Sequence, residues 1–294
     1  MRALKEKAYA KINLYLDVTE KRPDGFHNVE TVMHTVSLCD DVTVSVEPAR
    51  VTSVSLELVG ERRLPTDDRN IAVKAAKLYL ERAGISAKVK ISLCKKIPVA
   101  AGLAGGSTDA AATLRALNRI CDKRFTEKML LSLAAELGSD VPFCLLGGTA
   151  LCSGRGERIT RLPDALKLYL VIVVADGEYV STPAAYAALD SIYSDFDGSV
   201  SRGNDGLLDS LLEGIKQGTV AHSSLFNLFE NAIFTTCQGA KMLKEKLATL
   251  GAEAALMSGS GPSVYGVFDT EESAKRVAEM LANSGVRAYV ASSL

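Results

Sequence analysis

Two glycine-bearing stretches carry the residue types that could bind an anion. The first, IPVAAGLAGGSTDAAATLRAL at residues 97–117, sets Gly102, Gly105 and Gly106 before a Ser107-Thr108-Asp109 step and an alanine-rich run. Glycine lets a backbone come close to a phosphate, and the orphan N–H groups of a helix N-terminus direct partial positive charge at it. Ser107 and Thr108 add hydroxyl donors. The spacing lacks the lysine that a Walker loop places directly after its second glycine, and it does not give the G-x-G-x-x-G of a dinucleotide fold. Taken alone, the stretch is also what an N-capped helix after a flexible turn looks like. The second stretch, MSGSGPS at residues 257–263, carries more glycine than a tight turn between strands requires. Two such loops in one chain argue for two walls of one phosphate site.

These loops need elements to hold them. Ala8, Ala10, Ile12, Leu14, Leu16 and Val18 alternate with Tyr9, Lys11, Asn13, Tyr15 and Asp17, the period of a strand with one apolar face. Lys11 and Asn13 therefore project together from its other face. RPDGFHN follows, with Pro, Asp and Gly in turn order, so Phe26 and His27 come just past a turn. DDVTVSVEP and VTSVSLELVG read as strands, and AKVKISLCKKIP as a strand running into the first glycine loop. NIAVKAAKLYLERAG reads as a helix ended by Gly84. From about Ser107 to Gly138 good helix formers predict two helices joined near residues 122–125, after which LGSDVPF breaks the pattern.

A second unit opens near RITRLPDALKLYLVIVVAD, whose Val- and Ile-rich centre reads as a buried strand. The polar segment at residues 194–206 is expected to be a mobile loop. The chain closes with two strands, a helix and a last strand, VRAYVAS. At 294 residues it fits two medium domains, taken as 1–158 and 159–294, of the α+β class.

Composition narrows the function. A formal net charge of −1 without a basic run argues against nucleic acid as the main partner. The six cysteines are scattered with no C-x-x-C pair, so reduced thiols in a cytoplasmic protein are expected, not zinc or disulfides. The first residues lack the continuous apolar segment of a signal peptide, and no apolar run reaches the ~18 residues of a membrane span.

PVAAGLAGGSTDAA resembles the phosphate-binding motif of the GHMP kinases. LGSDVPF and MSGSGPSVYGVF resemble that family's other two motifs in the expected order, and AYAKINLYLDVTEKRPDGFHNVETV resembles the N-terminal signature of one branch. The resemblance spans almost the whole chain. It implies an N-terminal domain like domain 2 of ribosomal protein S5 and a ferredoxin-like C-terminal domain, with ATP and acceptor meeting in a cleft. It further implies ATP-dependent phosphorylation of the 2-hydroxyl of a cytidine diphosphate-linked methylerythritol, in the non-mevalonate route to isoprenoid precursors. Asp140 matches the catalytic-base position and Lys11 the neighbouring lysine position. Pro98, Val99, Ala100, Ala101, Gly102, Leu103, Ala104, Gly105, Gly106, Ser107 and Thr108 match the loop that holds the ATP phosphates, with Ser107 the hydroxyl nearest a phosphate-bound Mg²⁺. Asn70 and Lys95 match nucleotide-proximal positions; on residues alone they read as a helix cap and an exposed strand-end lysine. Phe26, His27 and Tyr186 match an aromatic sandwich with a histidine that reads the cytosine edge, with Asn13 and Thr182 nearby. Without the resemblance, the two aromatics read as partial core and His27 as a surface turn residue.

Three positions depart from the family pattern. Ala104 stands where glycine is usual, at a cost of about 1–2 kcal/mol if the backbone there is left-handed. Leu228 of NLFE stands where Asp is common, which puts a polar role there in doubt, and Phe26 replaces the more frequent Tyr. The expected partner is a small molecule, bound by a monomer or weak homodimer. Two rivals stay open: a homoserine- or mevalonate-type kinase, which would have no base to stack on Phe26 and Tyr186, and a non-catalytic nucleotide- or RNA-binding protein.

Overall fold

The computed structural model describes residues 2–60, 64–193 and 206–294. In chain order its elements begin with β1 (Arg2–Lys21), β2 (His27–Pro48), β3 (Ser53–Val59), α1 (Ile71–Ala83), β4 (Ala87–Cys94), α2 (Gly105–Ile120), α3 (Glu127–Leu137) and α4 (Val141–Leu146). They continue with β5 (Thr149–Ser153), β6 (Arg158–Arg161), β7 (Tyr169–Val174), α5 (Thr182–Ile192), α6 (Leu207–Lys216), β8 (Phe226–Asn227) and α7 (Glu230–Ile233). The last are α8 (Gln238–Thr249), β9 (Ala254–Met257), β10 (Ser263–Phe268), α9 (Glu271–Asn283) and β11 (Ala288–Ser292). Residues 194–205 of the polar segment expected to be mobile lie outside the described residues. Among the described residues no helix is long and apolar enough to cross a membrane.

The described residues fall into two compact units, neither a single run of chain. One takes in Met1–Ala10, Cys39–Val99 and Ala104–Gly147; the other takes in Lys11–Leu38, Ala100–Leu103 and Gly148–Leu294. In the first unit, β4 pairs antiparallel with the C-terminal half of β2 and parallel with β3, from Ser53↔Lys88 to Val59↔Cys94. Val42, Val44 and Val46 of β2 are buried on one face, as their period-two spacing requires. DDVTVSVEP is thus the second half of a 22-residue strand that begins at His27. Helix α1 starts where the Asn70 side chain accepts from the Ala72 N–H and stops at Gly84, whose left-handed backbone (φ 63°) turns its N–H back on the last turn. The two helices expected after the glycine loop are α2 and α3. Helix α2 begins at Gly105, two residues earlier than the Ser107 read from sequence, because its glycines enter the first turn.

In the second unit the sheet order is β11-β7-β10-β9, antiparallel throughout. With α8 before β9 and α9 after β10, both packed on this sheet, the order is that of a ferredoxin-like domain, as expected. β7 and β10 are buried almost throughout, so their near-continuous apolar sequence reflects a central position. The core joins Val171, Val173, Val264 and Phe268 of the sheet to Leu247 of α8 and Val277 and Leu281 of α9. Leu16, Val18 and Val29, from the N-terminal part of the chain, belong to the same core. Elsewhere in this unit β8 pairs parallel with β1 at Tyr15↔Phe226, and β5 pairs antiparallel with the first half of β2.

Candidate active site

The alternation of β1 places Lys11 and Asn13 on one face, and both are buried, at 4% and 1% exposure. The Lys11 ammonium donates to Asn13 Oδ1 at 2.7 Å, and the same oxygen accepts from the Gly259 N–H at 2.9 Å. Asn13 Nδ2 donates to Thr31 Oγ1 at 2.7 Å, and Thr31 passes its own proton to the Tyr15 carbonyl. The Asn13 amide is therefore engaged at both ends by protein groups. It holds Lys11 and the second glycine stretch in register.

The two glycine stretches meet within this unit. A Cβ on Gly102 (φ +76°) would lie 2.1 Å from the Ser258 carbonyl oxygen, so no side chain fits there. Ser258 Oγ donates to the Gly102 carbonyl at 3.1 Å, Ser263 Oγ donates to that of Ala101, and the Lys11 N–H donates to that of Leu103 at 3.2 Å. A Cβ on Gly259 would crowd both the Gly102 carbonyl at 2.9 Å and the Lys11 ammonium at 3.1 Å. What brings glycine to these positions is close approach of the two stretches' backbones, with the Lys11 ammonium beside Gly259.

Asn227 holds the second stretch from behind. Its Nδ2 donates to the carbonyls of Met257 (2.7 Å) and Gly259 (2.8 Å), and its Oδ1 accepts from the Phe229 N–H. Glu230, three residues on, accepts from the Met257 N–H at 2.8 Å. Leu228 between them is buried in the core at 1% exposure, and this leucine has no polar role. The family pattern draws attention to Leu228, but the polar role falls to Asn227, whose signal in the sequence is an Asn beside an apolar run.

In the first unit the stems of the first glycine loop lie over a buried charged trio. Lys95 is not the exposed strand-end lysine that its residue type alone suggests. Its side chain is 5% exposed, pairs with Asp40, and reaches Asp109 of α2 at 2.8 Å. Burial alone would lower the Lys95 ammonium, but the two carboxylates outweigh it and hold it above its ordinary value. Burial pushes the Asp109 carboxyl up to about 8; Asp40 adds to the rise and Lys95 only partly opposes it. Asp40 was missed from sequence. Its signal was positional, since period two sets it on the same face as Val42, Val44 and Val46.

Between the stems, Val99 and Ala100 are exposed and Leu103 is buried. Ala104 has φ 57° and ψ 28°, the left-handed conformation in which alanine costs about 1–2 kcal/mol, and Ala100 has φ 53°. The condition attached to Ala104 is met, and the chain carries the strain. Thr108 is buried and gives its hydroxyl proton to the Tyr9 carbonyl at 2.7 Å, while Ser107 is half-buried on the first turn of α2. Of the two hydroxyl donors expected at this turn, the proton of Thr108 is thus already committed. The Asn70 side chain caps α1 and also donates to the Pro65 carbonyl, which is the capping role its residue type suggests. Asp140 precedes α4 in this unit and makes no side-chain capping bond to that helix.

The third cluster, in the second unit, is aromatic. His27 is buried at 6% exposure, so it is no surface turn residue. Its ring stacks on Tyr186 of α5 with centroids 4.8 Å apart and planes at 17°, and Phe229 meets Tyr186 edge-on. His27 Nε2 lies 2.7 Å from Asp190 Oδ1, and Lys21 pairs with the other oxygen at 2.5 Å. Burial would raise Asp190, but the hydrogen bonds from Lys21 and His27 outweigh it and hold the carboxyl below its ordinary value. Phe26 is 53% exposed with the Arg155 guanidinium 5.1 Å above its ring, so it presents an aromatic face at the surface. Thr182 opens α5, its hydroxyl 3.4 Å from that of Ser260.

Two family models match the chain: GHMP kinases N terminal domain over residues 70–148, and GHMP kinases C terminal over residues 209–287. A protein of Caldicellulosiruptor saccharolyticus named 4-diphosphocytidyl-2-C-methyl-D-erythritol kinase is 40% identical over 277 residues, 94% of this chain and 91% of that protein. The Bacillus subtilis protein of the same name is 42% identical over 275 residues, covering 92% and 90%. Among solved structures, a 4-(cytidine 5'-diphospho)-2C-methyl-D-erythritol kinase matches at a TM-score of 0.77 and 32% identity, covering 98% of both chains. The L. major mevalonate kinase, at a TM-score of 0.73 and 16% identity over 99% of this chain and 95% of its own, shares the fold.

Proposed function

The chain belongs to the GHMP kinase family, and from that premise we infer that it transfers the γ-phosphate of ATP to a hydroxyl of 4-diphosphocytidyl-2-C-methyl-D-erythritol. The observation that carries the residue-level reading is the meeting of the two glycine stretches at Gly102 and Gly259, the latter beside the Lys11 ammonium that Asn13 holds. The acceptor is the tertiary 2-hydroxyl. Its oxygen bonds to the γ-phosphorus, the bond to the β-phosphate oxygen breaks, ADP leaves, and Asp140 takes the hydroxyl proton. Lys11 stabilises the charge that develops on the attacking oxygen. Phosphoryl transfer is loose with late proton removal, so placement of the base matters more than its basicity.

Residues 98–108 hold the phosphates. Among the described residues no group of three or more His, Cys, Asp or Glu could hold a metal, which leaves scattered hydroxyl and carboxylate oxygens as donors there. That donor set suits Mg²⁺, an ion carried chiefly by phosphate and water, with the Ser107 hydroxyl as the residue that would hold it. Bound with ATP, Mg²⁺ would neutralise charge on the phosphates. Phe26 and Tyr186 stack the cytosine, and His27 reads its edge. Asn13 serves by orienting Lys11, Thr182 lies near the acceptor, and Asn70 and Lys95 act from the nucleotide side. The enzyme works in the cytoplasm as a monomer or weak homodimer, with its domain boundary at residue 158.

The test is ADP release with Mg²⁺ and ATP, comparing 4-diphosphocytidyl-2-C-methyl-D-erythritol, homoserine, mevalonate and no acceptor, with Asp140→Asn alongside. Turnover with the cytidine compound alone, lost in the variant, supports both substrate and base. Turnover with another acceptor overturns the roles of Phe26, His27 and Tyr186. An active Asp140→Asn overturns the base.

A further inference from the structure

The trio of Asp40, Lys95 and Asp109 takes no part in the transfer step, and its arrangement is that of a clamp. Asp40 is wholly buried. Its Oδ1 accepts from the backbone N–H groups of Lys96 (2.5 Å) and Ile97 (2.8 Å), the last residues before the glycine loop, and its Oδ2 takes the Lys95 ammonium. That ammonium also reaches Asp109 on the first turn of α2. We propose that Asp40 is a positioning residue for nucleotide binding, closing the two stems of the glycine-rich loop onto one ammonium so that the loop keeps a phosphate-binding shape. This rests on reading residues 98–108 as the loop that holds the ATP phosphates.

Three observations carry the inference beyond simple packing. A Cβ on Gly105 would lie 3.2 Å from both Lys95 Nζ and an Ile97 methyl, so the ammonium is packed directly beneath the start of α2. The span between the stems holds Ala100 and Ala104 at positive φ, a shape that alanine leaves unless its ends are fixed. The trio is also a poor stabiliser: Asp109 Oδ1 is buried with no hydrogen-bond partner among the described residues, and apolar groups of similar volume commonly stabilise at least as well. What such a cluster supplies that apolar packing does not is direction, with Asp40 aimed at two N–H groups and one ammonium. Lys95 therefore serves ATP from below, through the loop.

The experiment compares wild type, Asp109→Asn, Asp40→Asn and the double variant Asp40→Leu/Lys95→Met. It measures Mg²⁺-dependent binding of a non-hydrolysable ATP analogue, the KM values for ATP and for the cytidine substrate, and the unfolding midpoint. Asp40→Asn is expected to raise the analogue's Kd and the ATP KM at least tenfold, with the cytidine substrate's KM within twofold. Asp109→Asn, which keeps volume and one acceptor, is expected to raise the ATP KM about threefold. The double variant is expected to regain the wild-type midpoint but not nucleotide affinity. Recovery of affinity together with the midpoint overturns the proposal, since the trio would then only hold the fold. Asp109→Asn with unchanged ATP KM overturns it even if the Asp40 variants fail to fold. Wild type that neither binds the analogue nor turns over refutes the kinase reading itself, a separate failure.

Discussion

Gly102→Ala separates two reasons for a glycine. At Gly102 the backbone has φ +76°, and an added Cβ falls 2.1 Å from the Ser258 carbonyl oxygen, 1.3 Å (3.4 − 2.1) inside the 3.4 Å where ordinary contact begins. At Gly84 the backbone is also left-handed, with φ +63°, but among the described residues nothing lies within 4 Å of the added atom. Alanine at Gly84 meets only the backbone term of about 1–2 kcal/mol, offset by roughly 0.4–1 kcal/mol from a stiffer unfolded chain. A loss of about 0.5–1 kcal/mol is expected there. Gly102→Ala adds overpacking of about 1–3 kcal/mol. It also displaces the Ser258 Oγ bond to Gly102 and the Gly261 N–H bond to Ser258, each worth about 1 kcal/mol. The expected loss is about 3.5–6 kcal/mol, most of it from the clash and the bonds it displaces. A loop pushed aside by about 1 Å also costs roughly 10²-fold in kcat/KM for ATP. Urea unfolding and ATP kinetics on both variants check this. Equal midpoints for the two variants, with Gly102→Ala within twofold of wild-type kcat/KM, would refute the close-approach argument.

His34 is buried, 2.8 Å from Thr149 Oγ1 and 2.9 Å from Ser293 Oγ, and burial lowers its imidazole from 6.5 to about 4. The unfolded chain takes the proton first as pH falls, so this contribution is complete above pH 6.5 and is lost toward pH 4, by roughly 3 kcal/mol. His34→Gln should flatten the stability curve in that window in urea titrations at a series of pH values; an unchanged slope assigns the effect elsewhere. Asn227→Leu leaves the Met257 and Gly259 carbonyls and the Phe229 N–H without their partner, a loss of about 2–4 kcal/mol. Its kcat should fall more than its KM for either substrate, and a pure KM effect would contradict the link from Gly259 to Lys11. Tyr186→Leu should raise the KM for the cytidine substrate about 5- to 100-fold through lost stacking, with the ATP KM unchanged; equal rises in both would point to distortion instead.

Much of this arrangement was legible in local pattern. The alternation around Lys11, the cap and stop at Asn70 and Gly84, and the closing strands and helix need only near neighbours in the chain, and they emerged as read. What escaped depends on partners far away in sequence. Asp40 shares the apolar face of Val42, Val44 and Val46, but what makes it a clamp lies 55 and 69 residues on, at Lys95 and Asp109 (95 − 40 and 109 − 40). Asp190 sits on a helix 163 residues after the histidine it contacts. Burial of His27 follows from Tyr186 stacking on it, which no turn motif encodes. Ala104 was the reverse case. A single residue type raised the question of handedness, but only the backbone could answer it.

The order in which the second unit draws on its chain bears on how the protein is made. Asn13 takes a hydrogen bond from Tyr265, 252 residues later, and His34 meets Ser293 across 259 residues. β7 waits for β11, the last strand, on one side and for β10 on the other. On the ribosome, the strand bearing Lys11 emerges first and the turn bearing Gly259 near the end. The apolar face of Ile12, Leu14 and Leu16 therefore spends most of translation without its late partners, a state prone to aggregation and suited to chaperone binding. The ammonium and the backbone that cradles it can come together only when synthesis is nearly complete, so a chain stalled before residue 259 carries the lysine but not its setting.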